Sequence, residues 1–206
     1  MREMLKPALV LFVICLVVGA AMALTNMATA DVIAQRAVAD AENARKIVFS
    51  NAEEFEKLKV DIIKSKSKNT YDCIEEAYSA KVGGKTAGYV FLADPEGYGG
   101  EISIMIGIDD KGKVTGLKVG DNKETPGLGA KAKDDQFTSR FYGKKLDKIE
   151  VVKRKAKNES EIEAISGATI TSKAVSKGVE QASIMAQELL NNGLEVSEDE
   201  LIENNR

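Results

Sequence analysis

Ser166-Gly167-Ala168-Thr169-Ile170-Thr171-Ser172 is the stretch on which the predicted fold depends. A polar, irregular segment (155–163) precedes it, and a long amphipathic helix is predicted to follow it. The apolar positions of that helix recur at helical spacing and are Val175, Val179, Ala182, Ala186 and Leu189. A hydroxyl of Thr171 or Ser172 can cap the helix by accepting a hydrogen bond from an amide of the first turn. We therefore predict that the Thr169 hydroxyl lies just outside a helix N-terminus.

A helix N-terminus favours an anionic group, because its free amides and the positive end of the helix dipole point outward. A phosphate attached to Thr169 would be held there with little further help. Gly167 and Ala168 lack bulk, so a large planar group can lie close to the backbone. On its own, however, the heptapeptide favours a simpler interpretation, an ordinary capped helix behind a turn of small residues.

The region 71–119 carries the pattern of an antiparallel sheet. Strands are predicted from Cys73 to Val82 and from Lys85 to Ala93, and Gly83-Gly84 between them suits a tight hairpin. Isoleucine then alternates with other residues at positions 102, 104, 106 and 108, which predicts a half-buried strand. A turn at 109–112 leads into a last strand, 114–119. The predicted class is α+β, with an antiparallel sheet packed by helices.

Two glycine-containing motifs flank this sheet. Tyr98-Gly99-Gly100 follows a strand, and Glu124-Thr125-Pro126-Gly127-Leu128-Gly129 precedes a predicted helix, 134–142. Proline presets φ and the glycines permit a backbone that a flat ring can approach. The alternatives are a long hairpin loop for the first motif and a common turn for the second.

In this order, the motifs at Tyr98, Glu124 and Ser166 resemble the FMN-binding domain of bacterial ion-translocating redox complexes, in particular the G subunits of Rnf complexes. The resemblance runs from about Tyr71 to Leu190. In that family the last threonine of Ser-Gly-Ala-Thr carries FMN through a phosphoester bond that a separate flavin transferase installs. The resemblance thus implies covalent FMN on Thr169. It also implies further cofactor contacts from Ser166, Gly167, Ala168, Thr171, Glu124, Thr125, Gly127, Leu128, Gly129, Tyr98 and Gly99.

The resemblance implies a function as well. The chain is expected to relay electrons through its flavin inside a membrane complex that couples ferredoxin oxidation and NAD+ reduction to Na+ or H+ transport, and not to turn over alone. The C subunit of a Na+-translocating NADH:quinone reductase is the alternative within the redox class. An anchored binding or assembly domain without cofactor is the alternative outside it, and the intact Ser166 to Thr169 motif argues against that one.

Composition narrows the chemistry further. The 206 residues include no histidine, which removes the commonest general base and most transition-metal sites. Cys15 and Cys73 are the two cysteines of the sequence, and Cys15 lies in an apolar run, so no disulfide framework is expected. The net charge of −3 gives no reason to expect nucleic acid. We predict no catalytic residue and no metal site.

The N-terminal segment predicts a transmembrane anchor. Residues 7–24 carry no charge and would span ~27 Å as a helix. Arg2 and Lys6 precede them, which places residues 1–6 in the cytoplasm and the domain outside the cell (inner) membrane. A cleaved signal peptide is the alternative, since Ala28-Thr29-Ala30 resembles a cleavage site. We expect a retained anchor, because the apolar run is longer than that of most signal peptides.

The remaining boundaries follow from charge and stop signals. Residues 31–59 are predicted to form a helical connector, rich in alanine and charge, that leads to the FMN-binding domain at 71–192. Asn191-Asn192-Gly193 ends the last helix. Residues 193–206 form an acidic tail to which we assign no function.

Overall fold

The chain forms a long N-terminal helix followed by an α+β domain, and the computed structural model describes residues 2–67 and 69–192. The helices are α1 (Arg2–Val48), α2 (Val60–Lys66), α3 (Asp135–Thr138) and α4 (Thr169–Asn192), and a short 3₁₀ helix (Gly129–Lys133) precedes α3. The strands are β1 (Glu54–Leu58), β2 (Ile74–Val82), β3 (Lys85–Ala93), β4 (Ile102–Asp109), β5 (Val114–Asn122), β6 (Glu150–Val152) and β7 (Glu161–Glu163). The predicted α+β class is confirmed. Contacts divide the chain into two units, one ending at Asn43 and one beginning at Ala44.

The N-terminal unit is helical. It contains the 22-residue stretch Leu9–Ala30, which is apolar and long enough to cross a membrane. At 1.5 Å per residue this stretch measures about 33 Å, close to the hydrocarbon thickness of a bilayer. It overlaps the predicted segment 7–24 and continues beyond it.

Five strands of the second unit form an antiparallel sheet in the order β1-β2-β3-β4-β5. The β2–β3 hairpin is as predicted, and its two turn residues, Gly83 and Gly84, have φ of 57° and 76°, where glycine is favoured. β6 and β7 form a separate two-stranded parallel pair. This pair leads directly to α4.

The helical connector predicted for residues 31–59 is wrong in its last third. The helix ends at Val48, and Glu54–Leu58 instead forms β1, which pairs with β2 at the edge of the sheet. Phe55, which falls within the predicted connector, lies opposite Ala80 in this pair. The charged composition of the segment gave no sign of a strand. The strand is stable because it pairs with a later part of the chain, and not because of a local preference.

β4 is covered on both faces, although the alternation of isoleucines predicted a half-buried strand. Ile102, Ile104, Ile106 and Ile108 face the main core with α4, while Met105 belongs to a second cluster on the other face. Val48 and Phe49 at the end of α1 belong to that second cluster. Segments far from β4 in sequence therefore bury the face that local alternation assigned to solvent.

The end of α1 approaches the sheet at two glycines. A Cβ atom on Gly107 would lie 2.4 Å from the Val48 carbonyl oxygen, and a Cβ atom on Gly116 would lie 2.6 Å from the Val48 Cα. Thr115 Oγ1 donates a 2.6 Å hydrogen bond to the same carbonyl. Glycine permits this contact because any side chain would occupy the space of the helix end.

The helix predicted for 134–142 is shorter in the structure. α3 covers Asp135–Thr138 and turns follow it. Phe137 and Phe141 are buried as predicted, with their ring centroids 5.4 Å apart in an edge-to-face arrangement. These rings help to close the core beside the segment that leads to α4.

The predicted capping of the last helix is also wrong. α4 begins at Thr169, so Thr169 is its first residue and does not lie outside it. Ser172 Oγ donates to the Ala168 carbonyl and accepts from the Ile165 amide, both at 2.9 Å, while Thr171 Oγ1 donates to a distant carboxylate. The hydroxyls of Thr171 and Ser172, which were expected to cap α4, therefore form hydrogen bonds with other groups. α4 is described as far as Asn192, so the predicted end of the helix at Asn191-Asn192-Gly193 and the acidic tail 193–206 reach beyond the described residues.

Candidate functional site

The three sequence motifs meet at one cleft of about 900 Å³. Its lining includes most of the predicted cofactor-binding residues, namely Tyr98, Glu124, Thr125, Leu128, Gly129, Ser166, Gly167, Ala168, Thr169 and Thr171. Gly99 and Gly127, which were also predicted, do not line it. A cleft of this size lies within the usual range for small-molecule and cofactor sites, about 300–1,000 Å³.

Glu124 joins the three motifs. Its side chain is buried, with only 6% of the residue exposed. Oε1 accepts hydrogen bonds from the Tyr98 amide at 2.7 Å and the Gly99 amide at 3.1 Å. Oε2 accepts from Thr171 Oγ1 at 2.8 Å. Both carboxylate oxygens therefore have protein donors from the other two motifs.

Glycines make room for this carboxylate. A Cβ atom on Gly97 would lie 2.3 Å from Glu124 Oε1, and one on Gly129 would lie 2.2 Å from Oε2 and 2.7 Å from Thr171 Oγ1. A Cβ atom on Gly99 would lie 2.1 Å from the Lys123 carbonyl oxygen. The glycines in and beside the first two motifs thus allow close approach around Glu124, which is a structural reason for their small size.

Thr169 lies at the entrance to α4 with free hydrogen-bonding groups around it. Gly167 precedes it with φ of 78°, a left-handed conformation that turns the chain into the helix. The Ala168 amide donates to the Ile165 carbonyl at 2.9 Å, and helical bonding resumes with the Ser172 amide. In the described part of the chain, the amides between those two have no backbone acceptor, and the Thr169 hydroxyl has no hydrogen-bond partner.

Several basic side chains border the cleft. Lys131, Arg140 and Lys153 line it, together with the acidic Asp134 and Glu163. Arg140 is held in place, because it donates to the Glu163 carbonyl and to the Gln136 carbonyl. Neither lysine forms an ion pair with the residues that the structure describes. Two cations are therefore available to an anionic ligand.

The rim of the cleft is apolar and exposed. Tyr98 is 71% exposed, Leu128 43% and Ile170 54%. Sequence reasoning missed Ile170 and the cleft-lining Arg140, and it did not assign Lys153 to the site. Two features of the sequence could have identified Ile170. It follows Thr169 directly, and its apolar side chain does not continue the buried stripe of α4.

A charged contact holds the loop that leads to α4. Arg154 donates to both carboxylate oxygens of Glu161, at 2.6 and 2.8 Å, and the Lys157 amide donates to Oε2 at 2.8 Å. These bonds, first of all those from Arg154, lower the pKa of Glu161 to about 2. Glu161 begins β7, so the contact fixes the segment before Ser166.

No group of three or more His, Cys, Asp or Glu side chains is arranged to hold a metal ion within residues 2–67 and 69–192. Cys73 is buried next to β2, and its thiol lies 2.9 Å from Gln181 Oε1. Burial, with a smaller contribution from Asp72, raises the pKa of the Cys73 thiol to about 11. That cysteine lies in the core and not in the cleft.

Comparison with known proteins identifies two family regions in the chain. Residues 97–183 match the FMN-binding domain family, and residues 1–45 match the RnfG N-terminal region. The first match contains all three motifs that meet at the cleft.

Relatives extend over most of the chain. It is 37% identical over 172 residues to the G subunit of the proton-translocating ferredoxin:NAD(+) oxidoreductase complex of Clostridium ljungdahlii, in an alignment that covers 84% of this chain and 85% of that protein. It is 38% identical over 196 residues to the G subunit of the Na(+)-translocating ferredoxin:NAD(+) oxidoreductase complex of Acetobacterium woodii, with coverage of 91% and 94%. Both relatives therefore match in length as well as in sequence.

A solved structure shares the fold. The C subunit of the Na(+)-translocating NADH-quinone reductase from Parabacteroides distasonis superposes with a TM-score of 0.56 at 22% identity, over 76% of this chain and 94% of that one. At this level of identity the likeness concerns the fold alone.

Proposed function

The chain belongs to the family of G subunits of the ion-translocating ferredoxin:NAD+ oxidoreductase (Rnf) complexes, and from this premise we propose that it carries FMN covalently on Thr169 and relays electrons within such a complex. Members of this family are electron-transfer subunits with an FMN-binding domain. Covalent attachment of FMN to Thr169 goes beyond the family membership, and the geometry around Thr169 supports it.

The observation that carries the proposal is the position of Thr169. It is the first residue of α4, and its unpaired hydroxyl belongs to the cleft that the other two motifs also line. The free amides that follow it and the positive end of the helix dipole suit a phosphate. Lys131 and Lys153 at the same cleft would balance the charge of a phosphodiester.

The cleft fits the rest of the cofactor as well. Gly167 and Ala168 leave its wall next to Thr169 without bulk, while Tyr98, Leu128 and Ile170 offer apolar surface at its rim. FMN supplies one- or two-electron transfer when it is bound. The chain supplies position, electrostatic balance and retention, which explains why the cleft needs no general acid or base.

The membrane arrangement is part of the proposal. Leu9–Ala30 anchors the chain in the cell membrane, and Arg2 and Lys6 before it keep the N-terminus in the cytoplasm. The domain then lies outside, where a dissociated flavin would be lost. Covalent attachment by a separate flavin transferase meets this need. Other members of the complex donate and accept the electrons.

The alternative, the C subunit of a Na+-translocating NADH:quinone reductase, is not favoured. That protein shares the fold at 22% identity, whereas relatives whose alignments cover 84% and 91% of the chain are G subunits. A cofactor-free assembly domain remains the competing function, and it predicts a protein without flavin. The flavin fluorescence test described next distinguishes such a domain from a flavoprotein.

The test is flavin fluorescence of the denatured chain on a gel, after production together with a flavin transferase. The wild-type band is expected to fluoresce, and Thr169→Ala is expected to abolish the signal because the ester oxygen is gone. Ser166→Ala and Thr171→Ala should retain part of it. Thr86→Ala, in β3 and not among the residues that line the cleft, is the matched control and should fluoresce fully. A dark wild-type band would contradict the proposal.

A further inference from the structure

Glu124 has an unusual position for an acidic residue of a cofactor cleft. It lines the cleft, yet it is 6% exposed and both of its oxygens accept hydrogen bonds from the protein. A carboxylate that is engaged in this way has little capacity left for a ligand, since two amides and a hydroxyl already occupy it. Its contacts therefore indicate a role other than the direct cofactor binding that the sequence predicted.

We propose that Glu124 is the positioning residue for flavin attachment, and that it acts on Thr169 through Thr171. The Thr171 hydroxyl is held at 2.8 Å from Glu124 Oε2, and Thr171 lies two positions after Thr169 in the first turn of α4. Holding Thr171 fixes the direction in which that turn presents its hydroxyls and amides. The inference rests on the proposed function and adds to it the residue that orients the attachment point.

Glu124 also positions the opposite wall of the cleft, which the loop at Tyr98 forms. Glu124 Oε1 accepts from the Tyr98 and Gly99 amides, 26 and 25 positions earlier in sequence. One side chain thus sets the distance between the Tyr98 loop and the start of α4. Without this carboxylate the amides of Tyr98 and Gly99 would lose their hydrogen-bond acceptor, so the arrangement is preferred. Gly97 and Gly129 leave no space for a bulkier group around the carboxylate.

Flavin transfer to Thr169 depends on this position. The Thr169 oxygen forms a bond to the phosphorus of the flavin phosphate, and a phosphoanhydride bond of the donor, a flavin dinucleotide, breaks. The nucleotide monophosphate leaves, and the hydroxyl proton passes to the transferase. No group is oxidised or reduced. Because the acceptor oxygen must be aligned with the breaking bond, a small misplacement of the first turn slows the transfer.

Two pairs of substitutions separate position from charge. Glu124→Gln keeps an oxygen for the two amides, and its amide group can donate to the Thr171 hydroxyl, whereas Glu124→Leu removes every acceptor. Thr171→Ser keeps the hydroxyl, whereas Thr171→Val keeps the shape and removes it. The full chain in detergent is incubated with a flavin transferase and flavin adenine dinucleotide, and the initial rate of flavin incorporation is measured.

We expect Glu124→Gln and Thr171→Ser to incorporate flavin within about threefold of the wild-type rate, since both keep the position of the first turn. Glu124→Leu and Thr171→Val should be slower by about tenfold or more, because both release it. The double variant Glu124→Leu/Thr171→Val should be little slower than Glu124→Leu alone, because Glu124→Leu already removes the interaction that Thr171→Val removes. If the residues served only as core packing, Thr171→Val, which keeps the shape of the side chain, would incorporate flavin at the wild-type rate.

A stability control is required, because Glu124→Leu also lowers the free energy of unfolding. Ile63→Val shortens a buried side chain of α2 that does not line the cleft, and it is expected to lower the melting temperature without slowing incorporation. Rates are measured well below the melting temperature of each variant, so that every chain is folded during the assay.

Two results would overturn the inference. One is a folded Glu124→Leu that incorporates flavin at the wild-type rate. The other is a Glu124→Gln as slow as Glu124→Leu, which would make the negative charge, and not the position, the important property. If instead the wild-type chain takes up no flavin, or takes it up at another residue, the proposed function itself fails. The two failures are thus distinguishable.

Discussion

Thr171 Oγ1 and Glu124 Oε2 are 2.8 Å apart, although 47 positions of sequence separate the two residues. Their hydrogen bond joins the start of α4 to the segment after β5, and Glu124 continues the connection to Tyr98. The cleft is therefore assembled from three segments that the sheet and the last helix bring together. Changes in the small residues around this bond should affect the whole assembly.

Gly129→Ala is expected to destabilise the domain by about 1–3 kcal/mol, because its methyl group would lie 2.2 Å from Glu124 Oε2. Urea unfolding of the full chain in mild detergent, followed by near-ultraviolet circular dichroism of the tyrosines, measures the change. Gly120→Ala is the control, because its methyl group would lie no closer than 3.3 Å to its neighbours and should have a smaller effect. Equal effects of the two substitutions would contradict the prediction.

Gly107→Ala is expected to loosen the contact between the end of α1 and the sheet, since its methyl group would overlap the Val48 carbonyl oxygen at 2.4 Å. The same unfolding measurement should show a loss of about 1–3 kcal/mol. Thr115→Val, which removes the hydrogen bond to that carbonyl, should cost about 1 kcal/mol, and Thr115→Ser should cost less. Unchanged stability in Gly107→Ala would show that Val48 does not pack there.

The sequence predicted the elements whose pattern is local. The β2–β3 hairpin has its two glycines at the turn, β4 has its alternating isoleucines, and α4 has its buried stripe at helical spacing. Each of these signals depends on residues within one element. They were sufficient for the α+β class.

Elements that depend on distant partners could not be predicted in this way. β1 is rich in charge and is a strand because β2 pairs with it, and the outer face of β4 is buried because Val48 and Phe49 cover it. The site shows the same division. The motifs located the residues around Thr169, but the contacts of Glu124 with Tyr98 and Thr171 arise only in the folded chain.

Stability is expected to fall in acid through Glu161. Its pKa is lowered to about 2 by its bonds with Arg154 and the Lys157 amide, against about 4.3 in an unfolded chain. Its contribution is therefore complete above about pH 5 and is lost as the pH falls toward 2. The difference in unfolding free energy between the wild type and Glu161→Gln should shrink as the pH falls from about 5 to about 2. Arg154→Gln removes the main partner of Glu161, so its unfolding free energy should also approach that of the wild type as the pH falls. Parallel pH curves for the wild type and Glu161→Gln would contradict the prediction.

Cys73 should react slowly with thiol reagents in the folded protein. Burial raises the pKa of its thiol to about 11, so at about pH 8 very little thiolate is present, and the residue is only 5% exposed. In a Cys15→Ser background, maleimide labelling at that pH is expected to be slow in buffer and fast in urea. Rapid labelling of the folded chain would show that the region around Gln181 opens readily.

The central claim is that Thr169 carries the flavin, and mass spectrometry of the intact chain purified from its native host tests it most directly. We predict a mass increase equal to FMN less one water, and fragmentation that places the adduct on Thr169 within the peptide from Ser166 to Lys173. A chain without the added mass, or an adduct on a peptide that lacks Thr169, would contradict it.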